Sequence, residues 1–191
     1  MVVSLAKGGN VSLTKADPGL KLVRVGLGWD IRLSDGADFD LDSSCFLLKA
    51  DDKVRADSDF IFYNNKKSTC ASVTHNGDNT SGAGDGDDET IDVDLSKVPP
   101  EVMKIMVAVT IHEAAGRKQN FGMVRSAYVR VTDVAKNVEL ARYDLTEDAS
   151  VDTSMMFGEL YRKDAEWKFR AVGQGFAGGL GPMAQSMGVN A

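Results

Sequence analysis

Apolar and polar residues alternate with a spacing of two in segment after segment between residues 20 and 172, and this pattern constrains the chain more than any other feature. In LKLVRVGLGW, Val23, Val25, Leu27 and Trp29 fall on one face. Successive side chains of a strand point to opposite sides of its sheet, so a period of two with one apolar face describes a half-buried strand. TIDVDL repeats it with Ile91, Val93 and Leu95 inward and Asp92 and Asp94 outward. In DLDSSCFLL, Leu41, Ser43, Cys45 and Leu47 alternate against Asp40, Asp42, Ser44 and Phe46. KIMVAVTIH, SAYVRVTD, NVELARYDL, MMFGELYR and EWKFRAV continue the theme, and DFIFYNN and ASVTH read as shorter strands. The expectation is an all-β fold, an antiparallel two-sheet β-sandwich of about ten strands with a few short helices.

Helix signals are few. Pro99-Pro100-Glu101 is placed to begin a single turn, since proline is tolerated at the first helical position. Pro182 is placed to open a short helix that Gly188 stops. The glycine-rich GQGFAGGLG before it makes residues 173–191 a tail that caps one end of the sandwich. With 191 residues, 43% of them hydrophobic, and neither a repeat nor a linker, the whole chain 1–191 reads as one domain with its own core.

The net charge of −6 argues against nucleic acid or an anionic membrane as main partner, because those surfaces reward Lys and Arg. Cations or basic proteins fit better. No window approaches the roughly 20 apolar residues that span a bilayer, and MVVSLAKGGN has no signal-peptide pattern. Cys45 and Cys70 stand alone in separate segments, which fits a reducing compartment, and a cytoplasmic location is expected.

Against this ordinary background, HNGDNTSGAGDGDDETIDVD packs seven carboxylates into twenty residues, and no Lys or Arg relieves them between residues 76 and 96. Calcium takes six to eight oxygens from carboxylates, amides and backbone carbonyls. The stretch supplies all three: Asp78, Asp85, Asp87, Asp88 and Glu89, the amides of Asn76 and Asn79, and glycines that let carbonyls turn inward. It does not follow the EF-hand spacing, since Thr90 stands where the sixth-position glycine belongs when counted from Asp85. A second cluster is DFDLD. At about 3.3 Å per residue, Asp40 and Asp42 lie about 6.6 Å apart and can converge, whereas Asp38 needs a bend to join them. Asn64-Asn65 offers neutral oxygens, or merely a turn after a strand. Asp30 is a turn residue by default and a ligand by position. The competing explanation for all these acids is a solvated, solubilising surface.

Other chemistry has less support. His75 and His112 show no zinc spacing, and no serine sits in GxSxG. A magnesium-dependent phosphoester hydrolase using the clustered aspartates is the alternative function.

Taken together, VSLAKGGNVSLTK, VGLGWD, DFDLDSS, DFIFYNN, HNGDN, GDGDDE, RYDLTED and EWKFRAVGQGF resemble the TerD family of bacterial tellurite-resistance and stress-response proteins, over nearly the whole chain. The resemblance implies a β-sandwich, not an enzyme, that binds calcium, typically two ions close together. The positions it implies as ligands are Asp40, Asp42, Asn64, Asn65, Asp78, Asn79, Asp85, Asp87, Asp88 and Glu89. Asp30, Asp38 and the carbonyls of Gly77 and Gly84 are secondary candidates. It further implies action as an interaction module, with other tellurite-resistance proteins at the inner face of the membrane.

Overall fold

Each of the ten segments contributes a strand, and two more come from N-terminal residues that carry no alternation, so about ten becomes twelve among the described residues. The computed structural model describes residues 2–30, 36, 38–77, 86–145, 151–176 and 178–190. Within them, one sheet runs β1 (Val3–Ser4), β10 (Val138–Asp144), β9 (Tyr128–Asp133), β3 (Leu22–Gly28), β7 (Glu89–Asp94) and β6 (Val73–His75). The second runs β2 (Asn10–Ser12), β12 (Glu166–Phe176), β11 (Ser154–Lys163), β8 (Lys104–Ile111), β4 (Leu41–Leu48) and β5 (Phe60–Ile61). All pairings are antiparallel except β1 with β10. The first dozen residues therefore reach from the edge of one sheet to the edge of the other. These two strands are only two and three residues long and carry no alternation of their own, so the pattern did not mark them.

The core lies between the sheets, where the inward sets meet. Val23, Val25 and Leu27 from β3 and Ile91 and Val93 from β7 pack in one cluster with Leu41, Cys45 and Leu47 from β4 and Val107 from β8. β4 is buried on both faces. Its Phe46 and Leu48 turn away from that core and are covered by α2 (Leu180–Ser186) and the residues after it, through Met183, Ala184, Met187 and Val189.

The remaining short helices are α1 (Ala114–Arg117) and two 3-10 turns at Asp57–Asp59 and Phe121–Met123. The single turn expected at Pro99-Pro100-Glu101 forms, closed by the Val102 N–H on the Pro99 carbonyl at 3.0 Å, and it does not continue into a helix. Among the described residues, no helix is long and apolar enough to cross a membrane.

Phe46 stacks on Phe60 with ring centroids 4.6 Å apart, and Phe60 stacks on Phe62 at 4.4 Å. Replacing Phe46 by Ala is predicted to lower the unfolding free energy by about 3–5 kcal/mol in urea titrations, the usual cost of emptying a buried aromatic site. Val138→Ala, at a position that is 44% exposed, should stay within about 0.5 kcal/mol of the parent. Equal effects would mean that the outer face of β4 is not packed as described.

Candidate functional site

Trp29, just past β3, joins three of the motifs. Its backbone N–H donates to Asp88 Oδ2 at 2.9 Å, and its indole Nε1–H donates to the Phe39 carbonyl at 3.2 Å. VGLGWD, DFDLD and GDGDDE thus meet at one end of the sandwich. Asp30, the next residue, is exposed, and its N–H bonds the Arg125 carbonyl at 3.2 Å.

The three consecutive acids that lead into β7 go to three different places. Asp87 lies across the outer face of the first sheet, where Arg130 holds it through Nε at 2.7 Å and Nη2 at 3.2 Å. Two glycines make room: a Cβ at Gly26 would overlap the Asp87 carboxylate, and one at Gly28 would overlap the Tyr128 ring. The Tyr128 hydroxyl shares its proton between the Gly86 carbonyl (2.8 Å) and Asp87 Oδ1 (3.1 Å). Burial and the Asp87 charge push that phenol up to about 12.

Asp88 accepts from Trp29. Burial raises its carboxyl above the ordinary range, and the charges of Asp87 and Asp30 add to that against the Trp29 hydrogen bond. Glu89 turns inward and is 2% exposed. Its Oε2 accepts the Ser43 N–H at 2.6 Å, linking β7 in one sheet to β4 in the other, while its Oε1 is buried with no hydrogen-bond partner among the described residues. Burial pushes this carboxyl up more than His75 and Ser43 bring it down. His75 Nε2 stands 3.7 Å from Glu89 Oε2 and 3.2 Å from both oxygens of Ser43. The imidazole Nδ1 accepts the Gly77 N–H at 3.3 Å, so the proton of the neutral ring sits on Nε2, facing Ser43 and Glu89. Gly77 is tethered to the buried histidine in this way.

Asp40 and Asp42 are both buried. Asp42 Oδ2 lies 3.4 Å from His112 Nδ1, and Asp40 Oδ2 lies 3.6 Å from Arg117 Nη1. The Asp40 carbonyl accepts the His112 N–H at 2.8 Å. By alternation Asp42 shares the face of β4 that carries Phe46 and Leu48. It lines a cleft of about 830 Å³ with Tyr63, Thr110, His112 and Gly178 among its walls. Asp38 is exposed, with its carbonyl accepting from Gln119 at 3.2 Å.

Asn65 closes a turn: its backbone exchanges hydrogen bonds with Phe62 (2.9 and 3.1 Å) and its Nδ2 donates to the Phe60 carbonyl at 2.6 Å. Asn64 is exposed at that turn. Asp78, Asn79, Gly84 and Asp85 lie outside the described residues. Among the described residues, no three His, Cys, Asp or Glu side chains stand close enough together to hold a metal ion.

Sequence reasoning passed over Ser43, Arg130 and Tyr128, and it weighed His75 only as a zinc ligand. Arg130 and Asp87 are 43 residues apart, and Ser43 and Glu89 are 46 apart. No local spacing announces such pairs. Only the adjacency of His75 to the acidic run was visible.

Fold and site together define a two-sheet β-protein that gathers carboxylates at one end. The chain belongs to the TerD family, with residues 1–187 matching the TerD domain. It is 61% identical to Tellurium resistance protein TerD of Serratia marcescens, over the full length of both chains. It is 53% identical to General stress protein 16U of Bacillus subtilis (strain 168), over 99% of this chain and 98% of that one. A solved structure of a homologue of telluride resistance protein (TerD) from Streptomyces coelicolor A3(2) superposes with a TM-score of 0.69 at 24% identity, covering 87% of this chain and 96% of that one. That likeness speaks for the fold. The family is one of tellurium resistance and stress response.

The raised carboxyls set a pH dependence. Asp88 and Glu89 have ordinary values of 3.8 and 4.5 in an unfolded chain and higher ones in the folded protein. The folded state therefore binds these protons more tightly, and metal-free stability falls as the pH climbs from about 4 through the raised values. Glu89→Gln keeps an acceptor for Ser43 and removes the buried charge. In urea titrations of metal-free protein it should match or exceed the parent at pH 7 and flatten the decline between pH 4.5 and 7. A loss of more than about 1 kcal/mol, the worth of an ordinary hydrogen bond, would show that the charge stabilises the fold without metal.

Proposed function

We propose that the protein binds calcium at this end of the sandwich, two ions in the acidic region, and that the bound ions order a surface offered to other proteins. The observation that carries the proposal is Glu89, a carboxylate 2% exposed with one oxygen that no hydrogen bond satisfies among the described residues. Burying a charge without full compensation is costly, and a divalent cation supplies that compensation. Asp88 adds a second argument, since the burial and the like charges of Asp87 and Asp30 that raise its carboxyl are all offset by a nearby cation.

In this reading Asp30, Asp88 and Glu89 contribute carboxylates, Gly77 a carbonyl and Asn64 an amide. Asp78, Asn79, Gly84 and Asp85 complete the six to eight oxygens that calcium prefers. Arg130 already neutralises Asp87, so Asp87 positions the loop against the sheet, and Asn65 fixes the turn that presents Asn64. Asp40 and Asp42, beside Arg117 and His112, belong to the second ion, on the cleft side of β4. The protein acts in the cytoplasm as a binding module, not as an enzyme, among other tellurite-resistance proteins at the inner face of the membrane. Its part in resistance to tellurium and chemical damage follows the names of its relatives, which include Chemical-damaging agent resistance protein B of Clostridium acetobutylicum.

Scanning calorimetry of metal-free protein tests the reading. Calcium at about 100 times its Kd should add roughly 2.7 kcal/mol of stability if it binds only the folded state. Glu89→Gln and Asp88→Asn should lose most of that gain. Asp92→Asn should retain it, because Asp92 pairs with Arg24 at 2.7 Å on the outer face of the sheet. No upward shift of the parent with millimolar calcium would overturn the proposal. Amide NMR during the same titration counts the ions.

A further inference from the structure

Of the eight asparagines in the chain, only Asn76 is followed by glycine. An asparagine carries an electrophile, its side-chain carbonyl carbon, within reach of the backbone nitrogen of the next residue, and the two can close a five-membered ring. A side chain on that next residue hinders the closure, and glycine has none. The amide nitrogen is a poor nucleophile while it keeps its proton, so the reaction needs a base beside it.

The fold supplies that base. The Gly77 N–H donates to His75 Nδ1 at 3.3 Å, and the proton of the neutral ring sits on Nε2, 3.7 Å from Glu89 Oε2. An imidazolium formed at His75 therefore meets a carboxylate that favours it, as in a histidine–carboxylate pair of an acyl-transfer site. Asn76 is exposed, so water reaches it. Gly77 holds φ of +153°, and a Cβ there would meet no atom within 4 Å, which leaves the peptide uncrowded. Thr90 fixes the asparagine on the other side: its carbonyl accepts the Asn76 N–H at 2.9 Å and its Oγ1 accepts Asn76 Nδ2 at 3.0 Å. Groups already held in place lose less freedom on the way to reaction.

We propose that Asn76-Gly77 is a self-modifying site, at which His75 is the base that turns Asn76 into aspartate or isoaspartate. His75 Nδ1 takes the Gly77 proton, Gly77 N bonds to Asn76 Cγ, and the Cγ–Nδ2 bond breaks. Nδ2 recovers the proton and leaves as ammonia, and the ring is a succinimide. Water then opens it at either carbonyl. One water is consumed and one ammonia released, with nothing oxidised or reduced. Either product puts a new carboxylate at the head of the acidic run. Isoaspartate also lengthens the main chain between His75 and Gly77 by one atom, which loosens their tether. The inference does not depend on calcium.

Metal-free, full-length protein is incubated at neutral pH, folded and, in parallel, unfolded in urea. Trypsin then releases residues 68–97, which hold both Asn76 and Asn79. Mass spectrometry should find a gain of one mass unit at Asn76 well ahead of Asn79, which precedes threonine, and electron-transfer fragmentation separates aspartate from isoaspartate. A positioned base contributes about 10²–10⁴-fold, so the folded chain should react about 100-fold faster than the unfolded one. A folded rate no higher than the unfolded rate overturns the proposal. His75→Gln keeps a hydrogen-bonding side chain without the base, and its folded form, verified by urea titration, should drop to the rate of the unfolded chain. A folded His75→Gln protein as fast as the parent overturns the proposal too. The parent comparison stands by itself if that variant does not fold.

Discussion

A buried carboxylate joins the two sheets at the end where the acidic residues gather. Glu89 opens β7, and its Oε2 takes the Ser43 N–H of β4 at 2.6 Å, so a bond between opposite sheets fixes their spacing there. The neighbouring geometry depends on it. His75 stands beside the same carboxylate and holds Gly77, while Trp29 holds Asp88 one residue earlier. Because side chains alternate along a strand, an inward Glu89 forces Asp88 to the opposite side. The direction of one residue thus settles the entry of the acidic run into the sheet.

The ion pairs of this region do different jobs according to their exposure. Arg130 with Asp87 and Arg24 with Asp92 lie on the outer face of the first sheet with their guanidinium side chains 30% and 40% exposed. Such pairs contribute about 0–1 kcal/mol, so their value is positional. Asp87 is held flat where Gly26 leaves space, which fixes the chain just before Asp88. Glu89 is the opposite case. Water has almost no access to it, and its Oε1 has no hydrogen-bond partner among the described residues. Burial raises its carboxyl against the opposing effects of His75 and Ser43.

How much of this the sequence disclosed follows from the range of each interaction. Reading strands from neighbours in the chain found β3 to β12 and the inward set Ile91, Val93 and Leu95. β1 and β2 pair with the edges that β10 and β12 offer, and their own residues carry no alternation that says so. Phe46 and Leu48 looked outward from the core, and they are; only the docked tail shows that this side is also dry. At the site, the acids could be nominated one by one. Their partners Arg130, Ser43, His112 and Arg117 could not, since each comes from a distant segment brought near by sheet pairing. The turn role of Asn65 was visible as a local alternative, and its hydrogen bond to Phe60 is local too.

The chemistry of residues 88 and 89 bears on why acids stand there at all. Ser43 and Trp29 require only an acceptor, and the amide oxygens of Gln and Asn accept hydrogen bonds as carboxylates do. An amide at either position would satisfy the backbone without a charge, which at Glu89 is fully buried and at Asp88 partly so. The two backbone donors therefore do not require ionisable groups here, although His75 stands 3.7 Å from the Glu89 carboxylate, and burial makes both acids harder to ionise. A surface needing solubility gives no reason either, because Glu89 does not reach the surface. The proposed calcium binding would supply that reason: a divalent cation would offset Asp88, whose carboxyl the charges of Asp87 and Asp30 push up, and a cation near the buried Glu89 would do the same on the other side of the strand.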